Sequence, residues 1–291
     1  MKSPPSLSVV LPAKNEGESL KALLPKIRSM VPDAEIIVVD DGSADNTPEI
    51  CHQHGARRVA HPYSIGNGAA IKSGARVAVG EILVFMDADG QHDPRDIPLL
   101  VGQLLEGYDM VVGARRPNSQ ASLARSLANS LYNLLASWMT GHRIDDLTSG
   151  FRAVRADLFR EFLFLLPNGF SYPTTITMAF FRAGYSVAYQ PITAFARIGK
   201  SHIQPLRDGF RFFLIIFRVG TLYSPLKLFI PISGTFFLTA LGYYLYTFIL
   251  WGRFTNMSAL LFTSAVLIFL IGLVSEQITN LLYSYRRHPS D

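Results

Sequence analysis

Two long apolar runs near the C-terminus constrain this chain more than any other feature. Leu226 to Leu250 carries one charge, Lys227, and Met257 to Val274 carries none. The second run continues to about Tyr283 with Glu276 inside it. About twenty apolar residues are enough for a helix to cross the hydrocarbon core of a bilayer. The joint from Trp251 to Asn256 is short enough for an antiparallel hairpin, and Arg253 is its one charge. Basic residues gather on the other side, at Lys200, Arg207, Arg211, Arg218, Lys227, Arg286 and Arg287. That asymmetry predicts a multi-pass hairpin with both termini in the cytosol; the competing reading is a hairpin buried in a soluble core. Just upstream, Arg207, Asp208, Arg211 and Arg218 share one side of a helical pattern, away from Phe210, Phe213, Leu214, Phe217 and Leu222. A basic amphipathic helix of this kind suits the membrane interface. Three segments follow: residues 1–203 as the catalytic or binding domain, 204–224 as an interfacial helix, and 225–291 as the transmembrane hairpin with a short basic tail.

The first segment alternates strands and helices. Leu7–Leu11, Ile36–Val39, Arg58–Ala60, Ile82–Met86 and Met110–Val112 read as strands. Helical spacing marks Glu18–Met30, a start at Thr47-Pro48-Glu49, Ala69–Val79 and Ile97–Leu105. Further along, 122–139, 153–165 and 173–183 read as helices, and 186–195 as one or two strands. This alternation predicts an α/β fold with a mostly parallel sheet. In such sheets ligands bind beyond the carboxyl ends of the strands. Asp40, Asp41, Asp87 and Asp89 all stand at predicted strand ends.

The run Ile82-Leu83-Val84-Phe85-Met86-Asp87-Ala88-Asp89-Gly90-Gln91 carries most of the chemistry. Five apolar residues make a buried strand. Asp87 and Asp89 converge only if the chain bends after them, which Gly90 allows. Paired carboxylates with the amide oxygen of Gln91 suit a hard cation, Mg²⁺ or Mn²⁺, and such an ion would hold a diphosphate. The bland alternative is a solvated Asp-rich turn. His52 and His54, two apart on a helix, do not share a face and are no metal pair. His92 follows Gln91 and reads as support behind it.

Composition limits the rest. The net charge of +5 and 49% hydrophobic content fit an anionic membrane surface, and no recognition helix or interleaved basic and aromatic pattern points to nucleic acid. Cys51 is the one cysteine, which excludes an intrachain disulfide and predicts a reducing compartment. The apolar stretch within Met1–Pro12 is too short for a signal peptide.

Several motifs together resemble a known family. They are Val9-Val10-Leu11-Pro12-Ala13-Lys14-Asn15-Glu16, Val38-Val39-Asp40-Asp41-Gly42-Ser43, Gly66 to Gly74, Asp87-Ala88-Asp89-Gly90-Gln91, Gly113-Ala114-Arg115 and Asp146-Leu147-Thr148-Ser149-Gly150-Phe151-Arg152. In this order they resemble the family 2 glycosyltransferases of the GT-A fold, in particular the polyprenyl-phosphate sugar synthases, the group of dolichol-phosphate mannose synthase. The resemblance implies a GT-A, Rossmann-like domain. It implies that Pro12, Lys14, Glu16, Val38, Asp40, Asp87, Ala88 and Arg115 bind a nucleotide-sugar, and that Asp87, Asp89 and Gln91 hold the metal. Asp89, Asp146 and Arg115 would serve the reacting centre. Arg197, Lys200, Ser201 and His202 resemble a loop closing on donor and acceptor phosphate. Relatives usually carry Arg, then Gly-x-Ser-Lys, where this chain has Arg197-Ile198-Gly199-Lys200-Ser201-His202.

The chemistry fits these residue types. A departing nucleoside diphosphate builds negative charge that a cation stabilises. Asp40 reads as the nucleotide contact, and Asp41 as an Asx-turn partner for Gly42-Ser43. A phosphate monoester is largely a dianion at neutral pH, so Asp146 is expected to position rather than deprotonate the acceptor. Arg152 is expected to brace its own loop through a salt bridge. The expected activity moves one sugar, with inversion, from a UDP-hexose or GDP-mannose to a polyprenyl phosphate on the cytosolic face of the inner membrane. The partners are then donor, lipid acceptor and bilayer, with a homo-oligomer possible. Competing readings are a glycosyltransferase acting on a glycolipid or glycan hydroxyl, and a non-catalytic nucleotide-sugar-binding scaffold.

Overall fold

A computed structural model describes residues 5–115, 123–169, 171–193, 195, 217, 220–221 and 223–284. The chain divides into two compact units, Met1–Ile203 and Gln204–Asp291. The first is built in the order β1 (Leu7–Ala13), α1 (Gly17–Met30), β2 (Glu35–Asp40), α2 (Thr47–Gln53), β3 (Arg57–Ala60), α3 (Asn67–Val77), β4 (Ile82–Phe85), α4 (Ile97–Leu105), β5 (Met110–Arg115), α5 (Leu123–Thr140), β6 (Arg152–Arg155), α6 (Ala156–Glu161), α7 (Tyr172–Ala183) and β7 (Val187–Ile192).

The strands form one sheet in the order β3-β2-β1-β4-β6-β5-β7. Only β6 runs antiparallel to its neighbours β4 and β5; the other pairings are parallel. The apolar runs of β1, β2 and β4 are buried on both faces, as a sheet between two helix layers requires. Val9, Leu11, Val38 and Val84 face Leu20, Leu24 and Ile27 of α1 and Leu100 and Leu104 of α4. On the opposite face, Val10 and Val39 meet α3 at Gly74. Phe85 stacks there on Phe159 of α6, with ring centroids 4.5 Å apart.

The chain winds outward from β1 through β2 to β3, then crosses to β4 on the other side of β1. The strand order reverses between β1 and β4, and the crevice at their carboxyl ends is where an open α/β sheet binds ligands. One expectation fails beside it: residues 153–165 are not a single helix. Arg152–Arg155 are a central antiparallel strand, and only Ala156–Glu161 are helical. Arg155 and Ala156 take strand-end hydrogen bonds to Asp109 and Glu81, which fixes the strand between partners distant in sequence.

The second unit contains α8 (Pro225–Trp251) and α9 (Asn256–Ser284), packed as a hairpin and both long and apolar enough to cross a membrane. The Ser233 hydroxyl donates across the hairpin to the Ala265 carbonyl at 2.8 Å. Glu276 faces the start of α8, where the Leu226 N–H donates to its carboxylate at 3.3 Å. Aromatic pairs crowd the hairpin tip, Tyr244 on Phe254 and Tyr246 on Trp251, as at a membrane–water boundary. The expected interfacial helix over 204–224 lies mostly outside the described residues.

Candidate functional site

The loop after β1 is held open by its neighbours. Asn15 takes a positive φ of 56°. Its N–H donates to Ser43 Oγ at 2.9 Å, and its Oδ1 accepts from the Ala44 N–H at 2.8 Å. Asp45 takes the Gly17 N–H at the start of α1, also at 2.9 Å. These bonds tie the β1–α1 loop to the β2–α2 loop and leave Pro12, Lys14 and Glu16 along one wall of a cleft of about 440 Å³. Asp87, Ala88 and Asp89, just past β4, line the same cleft. Gly90 turns the chain after them with φ 74°, as the bend requires.

Asp40, and not Asp41, closes the turn at Gly42-Ser43, and Asp41, and not Asp40, lines the cleft. The Ser43 N–H donates to Asp40 Oδ1 at 2.8 Å, so Asp40 closes the turn that Asp41 was expected to close. Arg58 donates to the other oxygen through Nε at 2.9 Å and Nη2 at 2.6 Å. Asp40 is 1% exposed and does not line the cleft. Burial raises its pKa, but Ser43 and Arg58 together hold it below the ordinary range. Asp41 does line the cleft. It accepts from His61 Nδ1 at 2.7 Å, Ser64 Oγ at 2.7 Å, Ile65 N at 2.8 Å and Gly66 N at 2.9 Å. Through these bonds it shapes the wall formed by Ser64, Gly66, Asn67 and Ala70. The side chain of Val38 is fully buried in the α1 layer of the core and does not line the cleft.

Around the two metal-candidate carboxylates, Asp89 Oδ1 accepts from the Gln91 N–H at 3.1 Å, and the Gln91 carbonyl accepts from the Phe195 N–H at 2.9 Å. Gln91 itself does not line the cleft. Asp87 lies against Gly150: a Cβ there would sit 3.0 Å from its Oδ2, a tight contact from which the carboxylate would have to give by a few tenths of an ångström. Among the described residues no group of three or more His, Cys, Asp or Glu is arranged to hold a metal alone. Two carboxylates in one cleft are nonetheless an oxygen donor set that fits Mg²⁺ or Mn²⁺. Such an ion keeps part of its shell for water and substrate oxygens.

His92 is buried behind this turn, with its ring 5.0 Å from Phe151 and its Nδ1 without a partner. Burial, with the Arg115 charge, pushes its pKa down to about 4 against the pull of Asp89 and Asp146. It is therefore neutral at pH 7 and packs as an uncharged ring.

At the end of β5, Arg115 grips Asp146. Its Nε donates to Asp146 Oδ2 at 2.8 Å, its Nη2 to Oδ1 at 3.0 Å, and its backbone N–H to Oδ2 at 3.2 Å. The same Nη2 reaches Thr148 Oγ1 at 2.5 Å. Asp146 also takes the N–H groups of Thr148 and Ser149. Burial raises the Asp146 pKa, but these donors outweigh it and hold the carboxyl below the ordinary value. The Asp87 charge also acts on Arg115, favouring its charged form. Arg152 braces the loop in an unexpected way. It is fully buried, and among the described residues it has no carboxylate within salt-bridge distance. It donates instead to the carbonyls of Ser149 and Pro173 and to Thr177 Oγ1, with its guanidinium over the Tyr172 ring. The loop Arg197, Lys200, Ser201 and His202 lies outside the described residues.

The family model "Glycosyl transferase family 2" matches residues 8–163, more than half of the chain. The chain belongs to glycosyl transferase family 2. Its second unit matches the model "GtrB C-terminal hairpin" over residues 224–281. This family 2 chain is 28% identical to glycosyltransferase AglJ of Haloferax volcanii, over 97% of this chain and 96% of that protein. It is 36% identical to an undecaprenyl-phosphate 4-deoxy-4-formamido-L-arabinose transferase of Photorhabdus laumondii, over 54% of this chain and 51% of that protein. The match thus spans about half the length of the latter relative. Among solved structures it resembles glucosyl-3-phosphoglycerate synthase from Mycobacterium tuberculosis in complex with Mn²⁺, UDP and phosphoglyceric acid, at TM-score 0.60 and 26% identity over 74% of this chain and 77% of that one. The Mg²⁺ and UDP complex of the same enzyme aligns at TM-score 0.56 and 27% identity, over 70% and 74% of the two chains. The sheet and its helix layers are the GT-A arrangement of this family.

One consequence of the site concerns acid. Burial raises the carboxyls of Glu35, Asp40, Asp41, Asp45 and Asp146, yet their hydrogen-bond and cationic partners hold each below its ordinary value, 4.5 for Glu35 and 3.8 for the aspartates. The unfolded chain then binds more protons than the native one as these groups titrate. Their stabilisation is complete above the ordinary values and drains away as pH falls through the lowered ones. Asp96, raised by burial and by Asp93, contributes with the opposite sign. His92 acts earlier: it stays neutral in the fold down to about pH 4 while the unfolded chain protonates it from its ordinary value of 6.5, so it costs stability as pH falls through that window. The melting temperature of the purified protein is expected to decline gradually below about pH 6.5 and to fall steeply below about pH 4.

Proposed function

We propose that this protein moves a single sugar from a nucleotide-sugar to a polyprenyl phosphate at the cytosolic face of the membrane that holds its hairpin. The observation that carries the reading is the placement of Asp87 and Asp89 in one cleft with Pro12, Lys14 and Glu16, where the strand order reverses. The name of the undecaprenyl-phosphate 4-deoxy-4-formamido-L-arabinose transferase relative supports the acceptor class, and the Mn²⁺ and Mg²⁺ complexes of the structural relative support the cation. A bound Mg²⁺ or Mn²⁺ would supply charge neutralisation to the leaving diphosphate.

The chain's own residues do the rest. Asp87 and Asp89 would hold that cation, and with it the diphosphate end of the donor. Pro12, Lys14, Glu16 and Ala88, with the Asp41-shaped wall, enclose the nucleoside. The sugar then points toward the β5 and β6 side, where Arg115 and Asp146 stand. Asp146 is a poor proton acceptor there, because its lowered pKa leaves little affinity for a proton at pH 7. A hydroxyl acceptor needs such a base. A phosphate monoester, with its second pKa near about 6, is mostly a dianion already. The site therefore favours a phosphate nucleophile attacking in line with inversion, and Asp146 fixes Arg115 for the anionic reactants.

Radiolabelled UDP-hexoses and GDP-mannose, offered with polyprenyl phosphate and Mn²⁺ to the full chain in nanodiscs, test this. The expected product is a mild-acid-labile glycolipid made from one of these donors. Transfer only to a glycan or glycolipid hydroxyl, or tight donor binding with no transfer to any acceptor, overturns the reading.

A further inference from the structure

The strand that leads to Asp87 and the loop from Asp146 to Phe151 meet on one buried side chain, Tyr172 at the start of α7. Tyr172 is 2% exposed. The chain enters the helix through Ser171 at φ 83°, a left-handed backbone uncommon for a residue other than glycine. Three contacts converge on Tyr172. Its ring packs against Phe85, the last residue of β4, with centroids 6.4 Å apart. The Arg152 guanidinium lies over the same ring, 5.6 Å from its centroid. The Tyr172 hydroxyl donates to the Gly150 carbonyl at 2.9 Å.

Gly150 stands between Tyr172 and Asp87. A Cβ on Gly150 would lie 3.0 and 3.3 Å from the two Asp87 carboxylate oxygens and 3.4 Å from the Tyr172 hydroxyl. Arg152 fastens the neighbouring peptide by donating to the Ser149 carbonyl. Two routes thus run from Tyr172 to the Asp87 carboxylate, one along the chain from Phe85 and one across Gly150. We propose that Tyr172 is a positioning residue for Asp87: it holds the Gly150 backbone against the carboxylate and so fixes the direction in which Asp87 meets a divalent cation. A carboxylate already held in place loses little rotamer freedom when the ion binds. Groups that orient a metal ligand in this way change metal affinity by about 10- to 100-fold when they are removed. The proposal rests on the reading of Asp87 as a cation ligand.

Mn²⁺ binding to the full chain in detergent micelles, followed by loss of the free-ion EPR signal with UDP or GDP present, tests this. Tyr172→Phe keeps the ring on Phe85 and Arg152 and removes only the hydroxyl. Gly150→Ala presses on the Asp87 carboxylate directly. Each is expected to raise the Mn²⁺ Kd by about tenfold while the protein still melts in a cooperative transition. Tyr132→Phe is the control, because it removes a different buried bond to α7, from the Tyr132 hydroxyl to Thr174 Oγ1 at 3.1 Å. Its Mn²⁺ Kd is expected to stay at the wild-type value. Wild-type Mn²⁺ affinity in Tyr172→Phe or in Gly150→Ala overturns the positioning role and leaves the cation reading standing. A loss in Tyr132→Phe equal to that in Tyr172→Phe traces the effect to general loosening of α7 and also overturns the role. Failure of the wild-type chain to bind Mn²⁺ with either nucleotide overturns the cation reading and this proposal with it.

Discussion

Asp89→Ala is expected to remove transfer almost entirely while leaving a folded protein. Asp89 is partly exposed at the cleft, where it accepts the Gln91 N–H. Losing that bond costs about 1 kcal/mol, which leaves a native fold. The loss at the reacting centre is far larger. Removing one of two carboxylates from the cation site weakens charge neutralisation of the departing diphosphate. Groups that stabilise developing charge in this way are worth about 10²- to 10³-fold in turnover each. Initial rates at saturating donor and acceptor, with Mn²⁺ titrated over a wide range, give the comparison. Chelation of the wild-type enzyme should mimic the variant and be reversed by added Mn²⁺, whereas the variant should show weakened Mn²⁺ dependence. Wild-type turnover in Asp89→Ala would end the metal assignment, and with it the central reason for reading this cleft as a donor site. Asp87→Ala is a less clean probe, because the Asp87 carboxylate also packs against Gly150.

Much of this site was legible because its residues act close to where the sequence puts them. Continuous apolar runs end in Asp40-Asp41 and Asp87-Ala88-Asp89, and any parallel sheet brings such strand ends to one edge. The hairpin was legible from length and charge alone. What failed depended on partners far along the chain. Asp40 and Asp41 are adjacent, so a strand sends them to opposite faces. Which of them meets the cleft depends on Arg58 and on the 61–66 segment, neither visible from the Asp-Asp-Gly-Ser motif. Val38 lies in a run apolar on both faces, and the sequence does not mark which layer it enters. The segment Arg152-Ala153-Val154-Arg155 is too short for a periodicity, and it becomes a strand because β4 and β5 leave a slot between them. Arg152 shows the same limit: a charge in sequence suggests a carboxylate partner, but the fold satisfies it with carbonyls and an aromatic face.

The Arg115–Asp146 pair offers the second large effect, and it separates two roles for a carboxylate in this position. Asp146→Asn keeps the shape and loses the charge that Arg115 grips. Arg115→Lys keeps a charge but gives up the planar set of donors that meets both Asp146 oxygens and Thr148. Each is expected to lower kcat by about 10²-fold, and the double variant should be little worse than either, because each single change already breaks the same unit. Stability has to be followed in parallel, since opening a buried pair from one side can cost about 3–5 kcal/mol. The pH profile then decides between roles. If Asp146 positions Arg115, the rise of kcat/KM with pH follows the second ionisation of the acceptor phosphate, near about pH 6, in wild type and Asp146→Asn alike, at different heights. If Asp146 removes a proton in the reaction, the acid limb belongs to Asp146 and disappears when it becomes an amide. Loss of that limb, or losses that multiply in the double variant, would return Asp146 to the role of general base and make a hydroxyl the better acceptor.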